Sequence, residues 1–334
     1  MPGGDLQSAW PHWYCAPPDY GYQRTRIHTL DDDFLDLDVM GQGARRVGIV
    51  THGLEGNSRR WYVRAQVRAL LTSGYDAIAW NMRGCSGEPN RKVFYYHGGA
   101  TYDLETVIQY ALNEFVYQEV VLIGFSLGGN VVLRYLGEQA ERLDSRIRKG
   151  MAYSVPTDFS SGARQMEHWR RYPYMRMFLK SLREKVQYKA RVFPDQVPLE
   201  GLAAMRTFRE FDGRYIAPYF GFTSAEHYWT SVSSRPLLPQ IAIPTLLVNA
   251  LNDPFLAPAC FPIPEAEASP HFYLESGPIH LPCFAAAWRP PAVRSAIIRR
   301  SNSAPVRASA RNFQKNGENG LMPRFSCTER TRML

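Results

Sequence analysis

Val120-Val121-Leu122-Ile123-Gly124-Phe125-Ser126-Leu127-Gly128-Gly129-Asn130 decides how this chain is read. The first four residues are a continuous apolar run, as expected of a strand covered on both faces. After the serine, Gly129-Asn130-Val131-Val132-Leu133 starts a helical pattern. Strand, tight turn and helix in that order place Ser126 on a strained elbow at the edge of a sheet, where its hydroxyl is presented outward. Gly124 and Gly128 let strand and helix approach closely. A serine hydroxyl is a poor nucleophile by itself; it needs a base, an orienting carboxylate and donors for the developing oxyanion. Ser126 is therefore the expected nucleophile, with the backbone N–H of Leu127 as one oxyanion donor.

Working outward, apolar β-branched runs at 34–39, 46–51, 76–81, 120–125, 150–155, 245–250 and 271–274 alternate with helical patterns at 60–71, 102–112, 129–136 and 294–300. That alternation predicts an α/β fold with a mostly parallel sheet and crossover helices. Residues 157–240 interrupt it with aromatic and basic side chains, His168-Trp169-Arg170-Arg171-Tyr172-Pro173-Tyr174 among them. They read as a helical insertion lying over the carboxyl ends of the strands, where open α/β sheets bind ligands. The expected core is thus 1–156 with 241–284, the cap 157–240, and the remainder, 285–334, a basic tail. That tail is too poor in apolar periodicity to offset its ordering entropy and is expected to be disordered. The change of character near 277–285 also fits an altered reading frame.

The remaining catalytic groups follow from position. A second oxyanion donor belongs in the loop after an early strand, and Val47–Thr51 runs into His52-Gly53-Leu54-Glu55-Gly56; the N–H of Leu54 is the candidate. His52 and Gly53 are expected to support that loop, His52 as a buttress rather than a base. The acid belongs after the strand that follows the insertion, and Asp253 stands in Leu251-Asn252-Asp253-Pro254 just beyond Thr245–Ala250. A base after the acid leaves His271 and His280. His271 opens the last strand, at the wrong end of the sheet, so His280 is the candidate. Arg83, in Arg83-Gly84-Cys85-Ser86-Gly87, is expected to brace the floor of the site.

Several runs resemble one family: Thr51-His52-Gly53-Leu54-Glu55-Gly56-Asn57-Ser58, Asn81-Met82-Arg83-Gly84-Cys85-Ser86-Gly87-Glu88-Pro89-Asn90-Arg91, Tyr96-His97-Gly98-Gly99, Gly124 to Asn130, and Asn249-Ala250-Leu251-Asn252-Asp253-Pro254-Phe255. They are similar to the YheT-like, or AB hydrolase-4, family of α/β-hydrolases. The resemblance spans roughly residues 5 to 276. It implies a Ser–Asp–His serine hydrolase of short- or medium-chain carboxylic esters, with acyl transfer to alcohols as an added capacity. It also implies Ser126 as nucleophile and Asp253 as acid. One segment departs: relatives carry Gly-Gly-His-x-Gly-Phe around the base, whereas this chain has Gly277-Pro278-Ile279-His280-Leu281-Pro282. Prolines restrict a loop that glycines would free, so a catalytically impaired, binding-only member is the alternative.

Composition sets the outer bounds. The 334 residues carry a net charge of +8. From Pro278 onward there are nine Arg and one Lys against two Glu, so the whole excess lies in the tail and the rest is balanced. That distribution argues against nucleic acid as a partner; a small, acyl- or lipid-like ester is the expected one. Five scattered cysteines without metal spacing predict neither a structural metal nor disulfides, and no organic cofactor is implied. No apolar run reaches the roughly 20 residues of a membrane-spanning helix. The opening MPGGDLQSAWPHWY lacks a signal-peptide pattern, so the expected location is cytoplasmic. Oligomeric state is not encoded in any of these features.

Overall fold

The computed structural model describes residues 21–277. His280, the basic tail and the helix expected at 294–300 lie outside the described residues. Eight strands form one sheet in the order β1-β2-β4-β3-β5-β6-β7-β8. They are β1 Gln23–His28, β2 Phe34–Met40, β3 Arg46–Thr51, β4 Asp76–Asn81, β5 Glu119–Phe125, β6 Ile147–Tyr153, β7 Thr245–Ala250 and β8 Phe272–Gly277. β2 runs antiparallel to both neighbours, and all pairings from β4 to β8 are parallel. This is the α/β-hydrolase fold that the motifs imply.

The central strands are buried on both sides. Val120 and Leu122 of β5 join one apolar cluster, while Val121 and Ile123 join the other, with the period of two that a pleated strand imposes. Helix α1, Trp61–Thr72, covers the second face through Val63, Val67 and Leu70. Helices α2, Thr101–Glu114, and α3, Leu127–Glu138, contribute Leu104, Val107, Ile108, Val131 and Leu136 to the first. Between β6 and β7 the chain is helical, with α4 Phe159–Met166, α5 Tyr172–Val192, α6 Phe208–Phe211 and α7 Ala225–Val232. Helix α8, Ile263–Ala268, precedes β8.

β1 has no counterpart in the apolar pattern, for a physical reason. Gln23-Arg24-Thr25-Arg26-Ile27-His28 is an edge strand held by charge. Arg24 pairs with Asp38 at 2.8 Å and Arg26 with Asp36 at 2.7 Å across the β1–β2 ladder. The two aspartates are buried, so β2 reads as a strand whose charged side chains are satisfied by its neighbour.

Arg83 anchors a second charged cluster. Its guanidinium, 2% exposed, lies 2.7 Å from Asp103, 2.6 Å from Asp31 and 3.2 Å from Asp33. This joins the loop after β4 to α2 and to the β1–β2 turn. Arg83→Met leaves three carboxylates facing one another, and removing one member of a buried pair typically destabilises by about 3–5 kcal/mol. A urea titration should show a lowered midpoint at unchanged slope. A loss under about 1 kcal/mol, the level of an exposed pair, would mean that solvent already screens the cluster.

Candidate active site

The parallel strands end together: Thr51 pairs with Gly124, Phe125 with Tyr153, Tyr153 with Val248, and Ala250 with Gly277. The loops leaving those ends carry His52, Ser126, Ser154 and Asp253. Ser126 has φ 52° and ψ −120°, a conformation that L side chains rarely adopt and that marks a strained, externally imposed turn. Its N–H donates to the Tyr153 carbonyl at 2.8 Å, and its carbonyl accepts from Asn130 N–H at 3.1 Å, so both peptide groups of the turn are held.

Glycine is required at the elbow by proximity. A Cβ on Gly124 would lie 2.4 Å from the Gly128 carbonyl oxygen; one on Gly128 would lie 2.2 Å from that of His52. Gly53 rests against Ser126, with a Cβ there falling 3.1 Å from Ser126 Cβ.

Leu127 is the first residue of α3, so its N–H has no acceptor within the helix. The N–H of Leu54 belongs to the Gly53–Leu54 peptide, whose carbonyl accepts from Gly56 N–H at 2.9 Å and from His52 Nδ1–H at 2.7 Å. His52 Nε2 in turn accepts from Met82 N–H at 3.1 Å. Both ring nitrogens are therefore engaged in one neutral tautomer, and burial pushes the imidazole down to about 4. His52 orients the loop peptide and has no free nitrogen for a base's work.

Asp253 is buried, and its Oδ1 accepts from Phe255 N–H at 2.9 Å. Ser126, Leu54, Leu127, Gly53 and Asp253 all face one cavity of about 610 Å³. His271 precedes β8 at the opposite end of the sheet. His97 lines the cavity, but burial pushes it down to about 3, and it packs against Phe220 with ring centroids 4.2 Å apart. Arg83 is not among the lining residues. Ser86 and Glu88 turn to the edge strand, where the Ser86 carbonyl accepts from Arg24 and Glu88 pairs with Arg26.

Most of the wall is aromatic or aliphatic, including Tyr62, Phe125, Tyr153, Phe178, Phe211 and Trp229. Phe125 stacks on Tyr153 at 5.1 Å and meets Tyr62 at 4.8 Å, forming a floor beside the serine. Asp212 is a polar exception; burial raises it to about 7, and its Oδ2 accepts from Trp229 Nε1–H at 2.7 Å. Asp212, Tyr62 and Ser154 carry no sequence signal that would have found them. Asn130 and Asn249 did stand inside the quoted runs, and they are ties: Asn130 bonds Gly98, Val232 and Ser234, while Asn249 bonds both backbone groups of Val155.

Residues 49–275 match the family described as alpha/beta hydrolase fold. An Escherichia coli K12 protein named "Putative esterase YheT" is 32% identical over 78% of each chain. The chain belongs to the YheT-like family of α/β-hydrolases. A Saccharomyces cerevisiae protein named "Monoacylglycerol lipase" is 29% identical over 75% of this α/β-hydrolase, and the match spans 56% of the yeast protein. The human "Phospholipase ABHD3" is 26% identical over 78% of this chain and 65% of its own. Among solved structures, the Pyrococcus furiosus esterase Pf2001 superposes with a TM-score of 0.54 at 17% identity, covering 80% of this chain and 87% of that one; it shares the fold. Among the described residues no helix is long and apolar enough to cross a membrane.

Two buried neutral imidazoles give a pH signature. His52 and His97 sit far below the ordinary value of 6.5 in the folded chain. Near pH 5 each imidazole takes up about one proton on unfolding, a contribution of roughly 1.4 kcal/mol per pH unit, while Asp212, protonated in the folded chain, gives back about one. Stability therefore falls with pH from about 6.5 down to about 4 at a net slope of roughly 1.4 kcal/mol per pH unit. Urea titrations across this range should show that slope lowered by about 1.4 kcal/mol per pH unit in His97→Phe. An unchanged slope would mean that His97 is solvated.

Proposed function

We propose that this chain is a carboxylic ester hydrolase that works through Ser126, and the observation that carries this is the strained serine at the floor of an apolar cavity shared with Asp253. Ser126 Oγ attacks the ester carbonyl, and His280 accepts its proton and delivers it to the leaving alcohol. Asp253 orients the imidazole and stabilises its cation. The N–H groups of Leu54 and Leu127 hold the tetrahedral oxyanion, each worth about 2.7–4 kcal/mol at comparable sites. Water then resolves the acyl-enzyme; an alcohol in its place would give acyl transfer.

The chain's path supports His280 as base. Leu251 N–H donates to the Gly277 carbonyl at 2.8 Å, so β8 ends beside the loop of Asp253. His280 follows three residues later, within the roughly 10 Å that three extended residues span. The segment 157–240 acts in this reading as a cap, because Phe159, Met166, Phe178 and Phe208 from it line the cavity. The volume lies within the about 300–1,000 Å³ usual for small-ligand sites. An apolar lining of this kind suits an acyl chain, at about 0.8 kcal/mol per buried CH₂. Relatives named esterase, monoacylglycerol lipase and phospholipase agree with an acyl or lipid-like ester.

A p-nitrophenyl ester series from acetate to decanoate tests the reading. kcat/KM should rise roughly fourfold per methylene until the cavity is full. Ser126→Ala should abolish turnover and labelling by a fluorophosphonate, and His280→Ala should lower kcat by at least about 1,000-fold. Turnover that survives Ser126→Ala overturns the proposal. Rapid ester binding without turnover in the unaltered chain favours the binding-only alternative that the prolines around His280 raise.

A further inference from the structure

Glu55 follows the Leu54 donor directly and has φ 53°. For a residue with a Cβ that conformation costs roughly 1–2 kcal/mol, so something outside the loop must impose it. The constraint is a buried polar cluster. Glu55 N–H donates to Tyr96 Oη at 2.8 Å, and the Tyr96 hydroxyl donates to Glu55 Oε1 at 2.7 Å. Arg60 donates to the Glu55 carbonyl at 3.0 Å. The carboxylate, 6% exposed, also accepts from Lys185 Nζ at 2.7 Å and from the Ser181 hydroxyl. Burial alone would raise the Glu55 carboxyl and lower the Lys185 ammonium; Lys185 holds Glu55 below its ordinary value, and Cys85, whose Sγ accepts from Lys185 Nζ at 3.1 Å, together with Glu55 holds Lys185 above.

Tyr96 and Arg60 belong to the loops and helix around the sheet, whereas Ser181 and Lys185 stand one turn apart on α5. The same helix lines the cavity with Met177, Phe178 and Leu182. At its start, Arg171 Nε–H donates to the Pro254 carbonyl at 2.7 Å, and Tyr174 meets Phe255 edge-on at 4.9 Å, both next to Asp253. One helix therefore touches the acid loop with its first turn and the oxyanion loop a few turns later.

We propose that the Glu55–Lys185 ion pair makes the oxyanion donor at Leu54 depend on the seating of helix α5, so that Lys185 is a positioning residue for catalysis. This rests on the ester hydrolase reading above. With α5 seated, Lys185 holds the Glu55 carboxylate, the positive φ persists, and Leu54 N–H faces the serine. Without the ammonium the loop loses its tie to α5 and the turn relaxes; in the single variant the carboxylate is in addition a buried uncompensated charge that draws water or turns outward. The loss falls on the transition state, because the oxyanion exists only there.

Lys185→Met tests this with p-nitrophenyl octanoate. kcat should fall about 10- to 100-fold, below the full loss of one oxyanion donor, while KM changes less than about twofold. Affinity for a trifluoromethyl ketone, which forms a tetrahedral adduct with the serine, should fall by the same factor; inhibition by octanol should not move. Because an unpaired buried carboxylate destabilises the single variant, Glu55→Gln/Lys185→Met removes both charges and should fold while keeping the low kcat. Unchanged kcat in either variant overturns the proposal, as does a loss confined to KM and octanol inhibition. An unaltered chain that neither turns over esters nor reacts with a fluorophosphonate instead sinks the hydrolase reading, and the role of Lys185 with it.

Discussion

The active-site end of the molecule depends on how closely the start of α3 approaches the loop after β3. Gly128 lies so near the His52 carbonyl that no side chain fits between them, and Gly53 in turn rests on Ser126. This contact brings Leu127 and Leu54 to one cavity with the serine, although they are more than seventy residues apart in the chain. It also explains why the turn can hold Ser126 at a positive φ: the Tyr153 carbonyl and the Asn130 N–H grip the strained residue from the neighbouring strand and its own helix. Strain at Ser126 is thus held by ordinary backbone hydrogen bonds.

Around that contact, polar residues do the aligning and apolar ones supply the volume. His52 spans from β3's loop to β4's, Asn130 from α3 to the loops at Gly98 and Val232, and Asn249 from β7 to the loop after β6. Each is fully buried and fully used, which gives the strand ends one mutual arrangement; a partly satisfied network would permit several. The cavity above them is lined mostly by aromatic and aliphatic side chains, so few wall groups would compete with the proposed oxyanion donors for a substrate carbonyl. A low-polarity wall also strengthens the few dipoles aimed at it.

Much of this was legible in the sequence, and the pattern of what was not is instructive. Strands β3, β4, β5 and β7 announce themselves because their central residues are largely buried on both faces and so form short apolar runs. β1 does not, because Arg24 and Arg26 meet buried aspartates on β2 and no apolar alternation results. The elbow and its glycines were readable since the constraint acts within five residues. Glu55, Tyr96 and Lys185 were not, as the cluster joins segments over forty and a hundred residues apart, and each alone reads as an unremarkable polar residue. Arg83 stood out as a motif residue, but only the fold shows that its three carboxylates lie away from the cavity. His280 rests on chain order and on the course of β8 up to Gly277.

The division of labour between charge and burial follows from these placements. Up to residue 277 the chain is electrically balanced, and its interior charges are committed to partners: Arg83 to three aspartates, Asp36 and Asp38 to the edge strand, Lys185 to Glu55. Two of these clusters brace the sheet and its flanking loops, and breaking either would be expressed mainly as lost stability. The third differs because one of its members follows Leu54, the proposed oxyanion donor, and the other rides on a cavity-lining helix. The same kind of buried pair therefore has a different consequence according to which peptide it holds. Holding a strand edge it sets stability, and holding the Leu54–Glu55 turn it sets, in the proposed mechanism, where the transition-state charge is met.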